Sequence, residues 1–164
     1  MSFFQAFILA LVAAVTSWWS PFCYGSLGDM VCGRPLVAGF VSGLVMGDLP
    51  TGIMIGQAIY IGAVYVGGGV QPNIAFAQYI VIPLAIVSKA SVETAIAMAI
   101  PLSMVGTLAS LLVKNLNIIF VHYQDSLIDK GKLKEAAMVP GWGQITNFSS
   151  YFFPILLIDY FGTD

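Results

Sequence analysis

The chain has 164 residues, of which 59% are hydrophobic and 9% are charged, and its mean hydropathy is +0.91. An ordinary soluble domain carries roughly 25% charged residues, so there are too few charges here to cover a surface facing water, and the lipid bilayer is the expected solvent. A net charge of −2 with six Lys plus Arg leaves no basic patch for nucleic acid, and the length allows one compact unit, a single transmembrane domain over 1–164.

In chain order, the first apolar stretch runs from Phe3 to Trp19. No Lys or Arg precedes Arg34, so the stretch lacks the positive n-region of a secretory signal and is expected to remain in the mature protein. Trp18 and Trp19 close it as an interfacial aromatic belt. Cys23 and Cys32 lack the CxxC spacing of a zinc or redox site and are expected to be plain thiols. Arg34 before Pro35 opens a short helix, Leu36 to Met46, because proline is at home in a first turn. Gly47-Asp48-Leu49-Pro50-Thr51-Gly52 reads as a turn whose Asp48 caps the next stretch, Gly52 to Val66, through the amides near Thr51 and Gly52.

Between Asp48 and Lys89 lie forty residues without a formal charge, twice the ~20 that one helix needs to cross the hydrocarbon. More than one buried element must lie there. Leu36 to Met46 and Ile74 to Val87 are too short to cross alone and read as broken or re-entrant segments. Broken backbone at membrane depth survives only when covered by protein or lining a wet cavity, so a cavity is expected. Lys89 and Glu93, at i and i+4, suit a local interfacial ion pair. Thr94 to Val121 follows, interrupted by Lys114, and His122 is expected at an interface. Asp125 to Glu135 reads as a polar loop, and Lys130, Lys132 and Lys134 place it in the cytoplasm by the positive-inside rule. Ala136 to Phe161 is the last apolar stretch. Gly39, Gly43 and Gly47, and again Ala95, Ala99, Ser103 and Thr107, form small-residue stripes suited to close helix packing. The expected fold is an all-α integral membrane protein, a polytopic helical bundle with short broken or re-entrant helices.

With one histidine and no HExxH, GxSxG or GK[ST] pattern, the chain offers no catalytic residue, metal site or cofactor site. Gln57, Tyr60, Gln71 and Asn73 are neutral hydrogen-bonding side chains in or beside apolar segments, where an unpartnered polar group costs roughly 1–3 kcal/mol. Gly67-Gly68-Gly69 removes side chains just before Gln71-Pro72-Asn73, so backbone amides and two carboxamides can face one space. Sugars need such neutral donors and acceptors, with a Tyr60 or Tyr65 ring against their apolar face. The candidate substrate-binding residues are therefore Gln57, Tyr60, Gly68, Gly69, Gln71 and Asn73, and Arg34, Asp48 and Thr51 are candidate structural or gating residues. Interhelical hydrogen bonding in a tight turn is the alternative for the same polar groups.

The order RPL, a Gly-spaced apolar segment, GDLPTGIMIG and then YIGAVYVGGGVQPN resembles the membrane component IIC of the mannose/fructose/sorbose family of bacterial sugar phosphotransferase systems. Ala99-Ile100-Pro101-Leu102 and the segment from His122 to Leu133 add weaker echoes, so the likeness covers about Gly33 to Leu133. The resemblance implies a multi-pass subunit of the bacterial inner membrane that binds a hexose or amino sugar and forms homo- and hetero-oligomers. It implies pairing with a membrane subunit IID and service by cytoplasmic IIA and IIB, with phosphate coming from a histidine of IIB. The implied mechanism is alternating access of a sugar held near the midplane. Two departures stand out: Gln57 or Tyr60 takes the place of the family's Glu or Gln on a shorter helix, and Asn73 stands where many relatives are acidic. Relatives also run longer, so the family's later transmembrane elements are expected to be missing, and a truncated, non-transporting subunit that assembles with IID is the rival reading.

Overall fold

The computed structural model describes residues 1–17, 33–65 and 73–162 of the chain. Every regular element among them is an α-helix: α1 Phe3–Thr16, α2 Pro35–Met46, α3 Leu49–Tyr65, α4 Ile74–Ser88, α5 Val92–Asp129, α6 Leu133–Ala136 and α7 Val139–Phe161. Trp18, Trp19, Cys23 and Cys32 lie outside the described residues.

Helix α1 starts in a capping box, in which Ser2 Oγ accepts from the Gln5 amide at 3.3 Å and Gln5 Oε1 accepts from the Ser2 amide at 3.0 Å. Its buried residues Ala6, Leu9, Ala10, Ala13 and Ala14 recur at helical spacing, so one face packs inward, chiefly on α7.

Helices α2 and α3 form a tight pair. Arg34 is the N-cap of α2 with Pro35 in its first turn, as the dipeptide implied. Asp48 Oδ1 accepts from the Thr51 amide at 3.2 Å, so the cap read from the turn is present. A Cβ at Gly52 would lie 2.7 Å from Gly43 Cα, and one at Gly56 would lie 3.0 Å from Gly39 Cα. These four glycines bring two backbones together more closely than side chains would allow. Gly47 departs from the expected stripe: at φ 78° it is the left-handed C-cap of α2, a conformation open to glycine because it has no Cβ.

Helix α4 is the centre of the bundle, with every residue from Phe76 to Pro83 buried. It contacts α1, α2, α3, α5 and α7. Its 15 residues span about 22 Å at 1.5 Å per residue, less than the ~30 Å hydrocarbon core. A helix this short does not cross the hydrocarbon by itself, and the free amides at its start need partners.

Helix α5 has 38 residues, about 57 Å, and among the described residues it is the one helix long and apolar enough to cross a membrane. Its first half buries Ala95, Ala99, Ser103 and Gly106 against α4. The second half corrects the expected loop at 125–135. The helix continues through His122 and Asp125 to Asp129, turns at Gly131 (φ 71°), and enters α6. The reason is tertiary: the start of α7 folds back along α5, so that Trp142 stacks on Tyr123 with centroids 6.5 Å apart and meets Phe120 edge-on at 6.4 Å. Leu127, Ala136 and Val139 close this second small core. At the turn, Lys132 pairs with Glu135 at 3.0 Å, both half-exposed. Lys89 and Glu93 do not share a helix. Lys89 is the left-handed C-cap of α4 (φ 51°) and Glu93 begins α5 behind the cap Ser91, so the i, i+4 geometry expected for the pair is absent.

Candidate functional site

The amide end of α4 is built around Asn73. Its Oδ1 accepts from the Phe76 amide at 3.1 Å, capping the helix. Its own backbone N–H reaches Thr107 Oγ1 at 3.0 Å and the Ser103 carbonyl at 3.1 Å, so the small-residue face of α5 supplies acceptors as well as room. The side-chain amide donates to Tyr151 Oη at 2.6 Å, to Ser110 Oγ at 2.8 Å and to the Gly106 carbonyl at 3.4 Å. Phe76 lies edge-on to Tyr151 at 5.9 Å, and a Cβ at Gly106 would meet Phe76 Cβ at 2.7 Å. Asn73 thus ties α4, α5 and α7 together at the start of α4. Both polar ends of its carboxamide are engaged.

Beside this junction, α5 and α7 leave a cleft of about 360 Å³ lined by Ser110, Lys114, Asn117 and His122 of α5 and Asn147 of α7, with apolar side chains between them. Ser110, Lys114 and Asn117 follow i, i+4, i+7 spacing and so share one helix face. Asn147 donates to Ser17 Oγ at 3.4 Å, linking α7 to the end of α1. Asn117 Oδ1 is buried without a hydrogen-bond partner. In the centre of α4, Gln78 is fully buried; its Nε2 donates to the Gly33 carbonyl at 3.3 Å, while its Oε1 has no partner.

Of the residues singled out in the sequence, Gln57 and Tyr60 lie one turn apart on the exposed side of α3, with Gly52, Ile55, Gly56 and Ile59 facing inward. They stand apart from Asn73's hydrogen bonds. Gly68, Gly69 and Gln71 lie outside the described residues, as does the Tyr65 side chain. Thr51 donates its amide to Asp48, and the two hold the α2–α3 turn. No group of three or more His, Cys, Asp or Glu able to hold a metal occurs among the described residues.

Sequence reasoning missed Gln78, Ser110, Asn117, Asn147 and Tyr151. The signal was available for most of them: each is an uncharged polar side chain in an apolar run, the feature that singled out Gln57. Ser110 and Asn117 recur on one face, and Asn147 and Tyr151 are one turn apart.

Short apolar helices packed around a buried central helix define a polytopic helical bundle of the kind found in membrane proteins. Residues 3–164 match the family described as the sorbose-specific IIC component of phosphotransferase systems, and the chain belongs to that family. It is 34% identical over 130 residues to the mannose-specific EIIC component of Escherichia coli (strain K12), covering 77% of this chain and 46% of that protein. It is 32% identical over 137 residues to the fructose permease IIC component of Bacillus subtilis (strain 168), covering 82% and 49%. The fold is similar to a cryo-EM structure of the mannose transporter ManYZ in complex with microcin E492. The TM-score is 0.79 and the identity 26%, with 98% of this chain and 64% of that one covered. The chain thus spans about half the length of the curated relatives it matches.

Proposed function

We propose that this chain is the sugar-binding and translocating IIC subunit of a mannose-family, phosphoenolpyruvate-dependent phosphotransferase system of the bacterial inner membrane. It imports a hexose or amino sugar, and IIB phosphorylates that sugar on the cytoplasmic side. IID is its membrane partner, IIA and IIB are its cytoplasmic ones, and the Lys130–Lys134 turn faces the cytoplasm.

The observation that carries this reading is the start of α4 at Asn73, held by α5 and α7. A helix end held at membrane depth by side chains of two other helices is how transporters present backbone and neutral polar groups to a solute. Asn73 acts in this scheme as the anchor of the segment before it. Gln71 and the amides of Gly68 and Gly69 contact the sugar hydroxyls, while Gln57 and Tyr60 approach from α3. The chemistry required of the chain is recognition and passage, since a sugar needs neutral donors and acceptors and the phosphoryl group is carried elsewhere.

The test is uptake of radiolabelled mannose, fructose and N-acetylgalactosamine in cells deleted for the gene, with IID, IIB and IIA present. Restored uptake of one of these sugars, reduced at least tenfold by Gln71→Ala at equal membrane abundance, supports the reading. Full-rate uptake by the Gln71→Ala variant removes the proposed site. Copurification with IID but no uptake of any of them favours the non-transporting structural subunit.

A further inference from the structure

The start of α4 holds polar groups that its cap does not use. Among the amides of the first turn, that of Asn73 donates to α5 and that of Phe76 bonds back to Asn73. The amides of Ile74 and Ala75 have no acceptor within the helix. Gln78 stands four and three residues beyond these two and so shares their face, and a helical side chain leans toward the N-terminus, over the preceding turn. Gln78 and Tyr79 are the two polar side chains in the buried run 76–83. The Tyr79 hydroxyl turns to α1, 3.5 Å from Thr16 Oγ1. Gln78 turns instead to the start of α2, where its Nε2 donates to the Gly33 carbonyl at 3.3 Å, long for an N–H···O bond. Its Oε1 is buried with no hydrogen-bond partner. A buried acceptor left unpaired is costly, and in a folded protein such a group has a reason.

We propose that Gln78 is a specificity-determining residue whose Oε1 accepts a hydrogen bond from one hydroxyl of the transported sugar, an inference that rests on the function proposed above. A hydroxyl donates one hydrogen bond and accepts others. An unpaired acceptor one turn behind two amide donors matches a single hydroxyl in both senses: its O–H goes to Gln78 Oε1, and its oxygen accepts from the Ile74 or Ala75 amide. A carboxamide suits a neutral sugar because it supplies the acceptor without burying a charge. Gln78 is fully buried, and Gly33 directly precedes Arg34, the N-cap of α2. A shift of the α2 start that releases the one long bond to Gly33 uncovers the carboxamide to the sugar. A site that offers a buried acceptor discriminates against an analogue lacking the hydroxyl, because the acceptor is then left unpaired.

The test takes whichever of mannose, fructose and N-acetylgalactosamine the deletion cells regain with the wild-type chain, and measures its KM for uptake in wild type, Gln78→Met and Gln78→Leu at equal membrane abundance. Methionine keeps the length of glutamine and removes both polar ends. Each variant is expected to raise KM about fivefold, the loss of one hydrogen bond. Monodeoxy derivatives of the same sugar, used as competitors, report the contact itself. Wild type should bind one of them about fivefold more weakly than the parent sugar, and Gln78→Met should not distinguish that derivative from the parent. Unfolding of the purified full chain in mixed micelles without sugar is the structural control. Its midpoint should hold in Gln78→Met, because the unpaired oxygen is lost together with the long bond to Gly33. A lowered midpoint in both variants, a KM unchanged in both, or a Gln78→Met protein that ranks the deoxy sugars as wild type does overturns the proposal. Uptake of none of the three sugars by the wild-type chain refutes the proposed function and this inference with it, whereas uptake with unchanged KM in the variants refutes the role of Gln78 alone.

Discussion

Replacing Asn73 by alanine removes the N-cap of α4 and the donors that join it to Tyr151 and Ser110. An N-cap is worth about 1 kcal/mol. Side-chain hydrogen bonds between membrane helices average about 0.6 kcal/mol, with a maximum near 1.7. The 2.6 Å bond to Tyr151 should lie toward the upper end. Asn73→Ala is therefore expected to cost about 2–3 kcal/mol. Tyr151→Phe, which keeps the ring against Phe76 and deletes only the hydroxyl, is expected to cost about 1 kcal/mol. The informative quantity is the coupling between the two substitutions. Reversible unfolding of the four proteins of the cycle in mixed detergent micelles should give an interaction of about 1 kcal/mol. An interaction within about 0.3 kcal/mol of zero, the range of independent sites, would refute the claim that this contact anchors the α4 end to α7.

Gly52→Ala and Gly56→Ala should each lower the midpoint of the same unfolding transition by an amount equivalent to about 1–3 kcal/mol, because the added Cβ meets α2 backbone. Gly47→Ala meets no neighbouring atom, and should cost only about 1–2 kcal/mol, from the left-handed backbone that the alanine must adopt. Gln57→Ala and Tyr60→Ala change exposed side chains, so they should leave the midpoint within about 0.5 kcal/mol while lowering sugar uptake; unaltered uptake removes α3 from the proposed path. A cysteine placed at Lys132 should react with an impermeant maleimide in inside-out vesicles and not in intact cells, and the opposite pattern inverts the orientation assigned to the basic turn.

Much of the fold was legible in the sequence because its signals are local. The Arg34-Pro35 start, the Asp48 cap and the lengths of the apolar runs each depend on a few neighbouring residues. The expected break after Val121 was read from polarity, yet α5 continues for two more turns. Polar residues at helical spacing do not stop a helix that has a partner, and Trp142, nineteen residues beyond Tyr123, supplies one. The Gly39, Gly43, Gly47 stripe illustrates the same limit. Spacing by four fits all three, but only the first two face α3, because the chain reverses at the third.

For the site, the sequence picked out Asn73 as a polar side chain beside apolar segments that must find a partner. It could not name the partners. Ser110 and Tyr151 lie 37 and 78 residues away, and hydrogen bonds at such separations follow from which helix faces meet, a property of the packed bundle and not of any stretch of chain. What the sequence alone determined was the solvent, the helical class, the principal helix starts and the family resemblance, since composition and short-range chemistry suffice for these. The tertiary structure decided that Asn73 is an anchor already occupied by α5 and α7, and that Lys114, His122, Asn117 and Asn147 share one cleft, because only packing brings distant polar groups into one low-dielectric space.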